Sequence, residues 1–342
     1  MPNEVRMTRA TSRISTDVDF ERDGFQTGTL RVPHSHDRSA YGHIAIPVAV
    51  LKRGTGPTVL LTGGNHGDEY EGPIALAKLV RRLPALAISG RLIVIPALNF
   101  PAHMNGSRTS PIDKGNLNRM FPGARDGTPT QMIAHYVETI LLPMADLALD
   151  LHAGGASMNH LPTLLASPPP DEERQGLYRR LVEGFGAPNV MIANLLGEDR
   201  TFAAAAERQG KLFLCGEFGG FGTCDPTGLA IVEDGIERLL TTVGLLPEHP
   251  APEPRPGRLL RVEGERHYVF APCPGLFEPA FRLGDDVSEG QLAGRIHDPH
   301  APWRDAVELH FRGSGVAVCV RSFTHVQPGD CVVHLAADTN WT

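Results

Sequence analysis

Five cysteines, Cys215, Cys224, Cys273, Cys319 and Cys331, are scattered through 342 residues without one CxxC pair. An odd number at such spacing supports neither a disulfide framework nor a cysteine-ligated metal. Basic runs are missing too, and the formal net charge is -7. Without clustered Lys and Arg the chain cannot release counterions from a phosphate backbone, which argues against a nucleic-acid partner. No apolar run reaches the length that spans a bilayer, so no membrane partner is expected. The opening residues, MPNEVRMTRATSRISTDVDFERDG, carry charges throughout and hold no apolar core of signal-peptide length. Together these absences predict a reduced, cytoplasmic protein.

What is present has the balance of a soluble globular chain: 41% of residues are hydrophobic and 21% charged, over a length that suits two domains. Short apolar runs alternate with longer amphipathic ones from Thr58 to about Leu240, which predicts an α/β fold, a sheet covered by helices. Strands are expected at 58–61, 91–95, 147–151, 190–193 and 211–215, and helices at 72–83, 130–141, 172–183, 201–209 and 228–243. The apolar segment 43–50 adds an edge strand. At Pro247 the composition changes to PEHPAPEPRPG, with five prolines and no apolar periodicity, the mark of a stiff linker. Beyond it, runs at 267–271, 316–320 and 331–335 are separated by Gly, Pro and Asp turns and predict a small all-β module. The expected division is therefore 1–246, an α/β domain with an N-terminal β extension, and 247–342, linker and β domain.

Directly after the first expected strand comes TGGNHGDEYEGP, which places His66 and Glu69 three residues apart. If the chain coils into a helix there, the pair shares one face and can converge on one ion. His152 ends another expected strand, LALDLHAGG, at the carboxyl edge of the sheet where ligands collect in open α/β folds. Two histidines and one glutamate with a fourth position open form a hydrolytic zinc arrangement, which lowers the pKa of a bound water towards ~7. Each motif alone is weak, and a histidine after a strand is commonly structural. A competing pair, His34 and His36, lies beside a proline in a polar turn and reads as a surface loop.

The stretch LNFPAHMNGSRTSPIDKGNLNRMFPG is too long for a simple connection and reads as a binding loop. Its Arg108 and Arg119 carry planar forks suited to a carboxylate, with Asn116 and Asn118 as further donors. A later run ends in LFLCGEFGG and sets Glu217 among apolar residues and glycines, where desolvation raises a carboxyl pKa into the range useful for proton transfer. Glu217 is the candidate general base, or else a structural glutamate bound to a backbone amide or an arginine.

HGDE, NLNRMFPG, DLHAGG and GEFGG, in this order, resemble the succinylglutamate desuccinylase and aspartoacylase family of zinc carboxypeptidase-like enzymes, over most of the chain from about Tyr41 onward. TGGNHGDEYEGP, SRTSPIDKGNLNRMFPG and Pro143-Met144-Ala145-Asp146 are most similar to the branch of that family that deacetylates N2-acetyl-L-2,4-diaminobutyrate in ectoine breakdown. The resemblance implies a zinc carboxypeptidase-like mixed sheet covered by helices with a smaller C-terminal β domain. It also implies one Zn2+ per subunit on His66, Glu69 and His152, a catalytic Glu217, and substrate-carboxylate contacts from Asn118 and Arg119, with Arg108 as the second arginine.

The expected activity is hydrolysis of the amide of a small N-acylated amino acid, that diaminobutyrate first. Other N-acyl amino acids, such as N-acetylaspartate or N-succinylglutamate, and a small-substrate metallocarboxypeptidase are the alternatives. A silent binding protein on the same fold is a third, and a homo-oligomer stays open. Glu71, Glu198, Asp199 or Asp225 could meet a substrate ammonium, and Arg200 could be a third substrate arginine; the sequence does not choose among them.

Overall fold

The computed structural model describes residues 11–192, 198–247 and 257–341. Its centre is a run of three parallel pairings: Gly90–Ile95 beside Thr58–Gly63, then Leu147–His152, then Leu212–Glu217. The first three of these strands are buried at every position, as parallel strands covered on both faces must be. Side chains leave alternately to the two faces. Leu61, Leu149 and Leu214 enter one core, under the helices Glu71–Arg82, Glu172–Phe185 and Pro226–Thr242, while Leu60, Ala148 and Phe213 enter the other. Each fully buried Leu contributes about 1.5–3 kcal/mol relative to an exposed one.

Helix starts follow capping chemistry. Thr128 and Gln131 form a reciprocal capping box ahead of Pro129, and Asp225 accepts the backbone N–H groups of Thr227 and Gly228. The helix expected at 130–141 is not uniform: an α-helix over Pro129–Tyr136 widens into a π turn over Val137–Leu141. Thr139 Oγ1 donates to the His135 carbonyl four residues back, a bond that competes with the regular ladder.

The segment expected at 43–50 forms the antiparallel strand His43–Arg53, but it lies inside the sheet, with Gly24–Pro33 and Ser15–Thr16 outside it. On the other flank an unanticipated antiparallel strand, Thr163–Ala166, follows Leu212–Glu217. Asn189–Ile192 continues the order, and the last residue of the strand expected there, Ala193, lies outside the described residues.

Past residue 257 the chain adds Arg258–Arg261, Cys331–Asp338 and Gly315–Arg321 to the same large sheet. It then builds a second, four-stranded antiparallel sheet around Phe277, Ile296, Leu309 and Val326. The proline-rich segment predicted as a linker falls largely on 248–256, outside the described residues. The short strand Met158–His160, which follows His152, pairs with Gly315–Arg321 and so ties the carboxyl edge of the central strands to the C-terminal β part. Among the described residues no helix is long and apolar enough to cross a membrane.

Candidate active site

The spacing of His66 and Glu69 predicts a shared helix face. They lie instead in the turn before the Glu71–Arg82 helix, whose N-cap is Tyr70. Gly67 accounts for the delay: its N–H donates to the Ser107 carbonyl at 2.9 Å, and a Cβ there would sit 2.0 Å from the Ala102 carbonyl. The chain passes flat against the Phe100–Asn105 helix before it can coil, and the turn brings both side chains round one point.

His66 Nδ1 stands 2.7 Å from Glu69 Oε1, and His152 Nδ1 stands 2.9 Å from Glu69 Oε2. One ligand atom from each of these three buried residues lies within 4.8 Å of the other two. Two imidazole nitrogens and a carboxylate oxygen form the mixed donor set that zinc takes at a hydrolytic site, so the residues fit the ion. The far ring nitrogens are engaged elsewhere. His66 Nε2–H donates to Asn116 Oδ1 at 3.0 Å, and His152 Nε2–H donates to Asp150 Oδ2 at 2.8 Å. Asp150 in turn accepts from Thr62 Oγ1 at 2.6 Å and Asn65 Nδ2 at 2.9 Å. In the neutral rings that a metal requires, these bonds select the tautomers that turn both Nδ1 lone pairs to the common centre.

Burial opposes ionisation of Glu69, but the charges of His66 and His152 outweigh it and hold the carboxyl well below its ordinary range. Burial likewise opposes a charged His152, yet Asp150 and Glu69 together keep its pKa well above the usual imidazole value.

Glu217 ends its strand in register with His152 on the parallel neighbour. Its Oε2 is buried with no hydrogen-bond partner. Burial pushes its pKa up to about 8, with the negative Glu69 adding to the rise and His152 working against it.

A cavity of about 220 Å³ runs from His66, His152 and Glu217 to a polar wall of Arg108, Asn118, Arg119 and Glu198. Arg108 leans over the cluster, its Nη1 3.7 Å from Glu69 Oε1. Arg119 Nε lies 3.3 Å from Glu198 Oε2. Asn118 Oδ1 accepts the Phe202 N–H at 2.9 Å, which fixes the side-chain amide and leaves its NH2 as the donor for a ligand.

Residues 55–243 match the succinylglutamate desuccinylase/aspartoacylase catalytic domain. The chain is 44% identical over 328 residues, 95% of each chain, to an N-alpha-acetyl-L-2,4-diaminobutyric acid deacetylase of Halomonas elongata. The chain belongs to the succinylglutamate desuccinylase/aspartoacylase family. Solved structures of the family agree in fold. The product-bound ectoine utilization protein EutE (DoeB) of Ruegeria pomeroyi superposes with a TM-score of 0.90 at 38% identity, covering 95% of this chain and 98% of that one. A family protein of Rhodobacter sphaeroides gives 0.90 at 38%, over 96% and 100% of the two chains.

Several residues of this family member's site escaped the sequence. Asp150 was readable in principle, because D-L-H on a strand puts Asp150 and His152 on one face. Asn116, expected as a supplementary donor, spends its Oδ1 on His66. Asp68 Oδ2 accepts the Ala156 N–H and Glu71 Oε1 the Asp225 N–H, both at 2.7 Å, so the acids beside Glu69 anchor the two loops that follow His152 and Glu217. Of the four acids left open, Glu71 is fully buried in that role, Asp225 caps a helix and Asp199 is exposed. Only Glu198 lines the cavity. Arg200 is held by Glu198 and is 60% exposed, and His34 and His36 sit in a turn, as the reading of a surface loop expects.

Proposed function

We propose that the protein is a zinc-dependent N-acyl amino acid deacylase that converts N2-acetyl-L-2,4-diaminobutyrate to acetate and 2,4-diaminobutyrate. One observation carries the reading: the His66, Glu69 and His152 donors converge at a cavity that is also lined by Glu217, Arg108 and Arg119. The relative in Halomonas elongata supplies the acyl group and amino acid.

His66, Glu69 and His152 would hold one zinc ion. Bound there, with a position left open, zinc supplies a water of lowered pKa and polarises an amide carbonyl. Asp150 and Asn116 keep the two imidazoles in the ligating tautomer through their far nitrogens. Arg119, Arg108 and the Asn118 amide bind the substrate α-carboxylate and fix the acetamide against Glu217. The Glu217 carboxylate takes a proton from the attacking water and returns it to the departing amine nitrogen as the C–N bond breaks. Its raised pKa matches a group that must both accept and donate near neutrality. The reading assigns this chemistry to residues 1–246 and leaves the β part, 247–342, outside it.

Acetate or succinate release from N2-acetyl-2,4-diaminobutyrate, N-acetylaspartate and N-succinylglutamate, with and without zinc, tests the reading. Zinc-dependent turnover led by the first compound is expected. Absence of turnover on all three would overturn it.

A further inference from the structure

Four carboxylates line the cavity or its metal end among the described residues, and three have work elsewhere. Glu69 bridges the two histidines, Asp150 is spent on His152, Thr62 and Asn65, and Glu217 faces the reaction. Glu198 is the fourth. It stands at the opposite wall, partly buried, with Oε2 3.3 Å from Arg119 Nε. From behind, Arg200 holds it in a fork, Nε to Oε1 at 2.9 Å and Nη2 to Oε2 at 2.8 Å, and the Arg200 N–H adds a third bond to Oε1 at 3.0 Å.

Resting on the deacylase reading above, we infer that Glu198 is the specificity-determining residue that selects an amino acid bearing a cationic side chain. A carboxylate accepts at about four lone-pair positions. Arg200 occupies three of those on Glu198, and the Arg119 Nε lies beside the remaining side of Oε2 as an ion-pair partner at 3.3 Å. When a substrate α-carboxylate draws the Arg119 fork to itself, that fourth position is vacated beside it. The ammonium of a diaminobutyrate, three carbons from its own carboxylate carbon, is the cation that refills it. One internal ion pair is thereby exchanged for two across the ligand, with no charge left unpaired. Arg200 remains behind as the backing that fixes the Glu198 carboxylate in the wall.

The same arrangement works against the alternative substrates. Without Glu198 this wall would present Arg108 and Arg119, two cations suited to a dianion such as N-acetylaspartate. Glu198 cancels one of those charges and sets a carboxylate against the second carboxylate of such a ligand. Its side chain keeps its charge across the working range, since the Arg200 hydrogen bonds hold its pKa down to about 2.

Glu198→Gln, which keeps shape and removes charge, tests this with two readouts. The first is kcat/KM for N2-acetyl-2,4-diaminobutyrate, neutral N-acetyl-2-aminobutyrate and N-acetylaspartate. The second is the Kd of 2,4-diaminobutyrate and 2-aminobutyrate by calorimetry on the zinc-loaded protein. The preference for the cationic over the neutral compound should fall about tenfold to a hundredfold in both, and N-acetylaspartate should gain on both rivals. Glu198→Asp should recover part of the preference. Parallel losses on the cationic and neutral compounds would overturn the inference, since Glu198 would then merely steady Arg119, and so would unchanged selectivity. Absence of acetate release by the unsubstituted protein would sink the deacylase reading instead, while the calorimetric preference would still decide the role of Glu198.

Discussion

Asp150 and His152 sit two residues apart on the same face of one strand, with the His152 Nε2–H donated to Asp150 Oδ2 at 2.8 Å and the opposite ring nitrogen turned to Glu69. The pair makes the central sheet itself the support of the metal cluster: the alternation that buries Leu149 and Leu151 on one face aims aspartate and histidine from the other. Ligand orientation is therefore set by strand geometry and by a carboxylate that Thr62 and Asn65 hold in place.

Asp150→Asn keeps the size of the side chain and removes its charge. Zinc affinity, measured by competition with a chelator, should fall about tenfold to a hundredfold, while the circular dichroism spectrum stays that of the folded protein. An affinity equal to that of the unsubstituted protein would deny Asp150 its orienting role.

Gly67→Ala tests the tight passage of the HGDE turn. The added methyl would meet the Ala102 backbone at 2.0 Å, so either the turn that carries His66 and Glu69 or the Phe100–Asn105 helix must shift. We expect a loss of about 2 kcal/mol or more in unfolding experiments, together with reduced zinc content. A variant of full stability and full metal content would contradict the packing described.

Arg119→Lys keeps the charge but loses the planar fork. Its KM for the acylated amino acid should rise by about tenfold or more, with zinc content unchanged. Arg108→Lys should show a smaller rise, because Arg108 is already drawn to the metal end of the cavity, its Nη1 3.7 Å from Glu69 Oε1. An Arg119→Lys enzyme with unaltered KM would move the carboxylate site elsewhere.

Two half-buried histidines make stability depend on pH. Burial lowers His160 to about 4 and His334 to about 3, the latter with help from the neighbouring His160 and His267. His334 is stacked on Tyr268 at 4.3 Å and its Nε2 has no partner. Above about pH 6.5 both are neutral in folded and unfolded chains alike and contribute no pH dependence. Below it the unfolded chain takes up protons that the folded one refuses, so stability falls with falling pH until the folded values are reached. Each histidine adds a slope of about 1.4 kcal/mol per pH unit in that window. Urea unfolding between about pH 7 and 5 should show the decline, and His334→Phe should flatten it; an equal slope in the variant would assign the acid sensitivity to other groups.

Local signals in the sequence served well where physics is local. Apolar runs bounded by glycine located the parallel strands, with His152 and Glu217 at the carboxyl ends of two of them. Long-range pairing left weaker traces. Thr163–Ala166 is too short to announce itself, and only its antiparallel seat beside Leu212–Glu217 makes it part of the site's floor. The i,i+3 spacing of His66 and Glu69 suggested a helix because spacing cannot register that Gly67 is pinned to the Ser107 carbonyl. Glu198 was indistinguishable from Glu71, Asp199 and Asp225, since whether an acid faces a cavity, a backbone amide or solvent depends on residues far away in the chain.

The central claim is a zinc site whose proton carrier is Glu217, and a single comparison tests it most directly: zinc content and acetate release of Glu217→Gln beside those of the unsubstituted protein. Both should hold close to one zinc per chain, because Glu217 is not among the donors. Turnover of N2-acetyl-2,4-diaminobutyrate by the variant should drop by about 10²–10⁴-fold. A Glu217→Gln protein that still turns over at the unsubstituted rate, or an unsubstituted protein equally active when stripped of metal, would contradict the account.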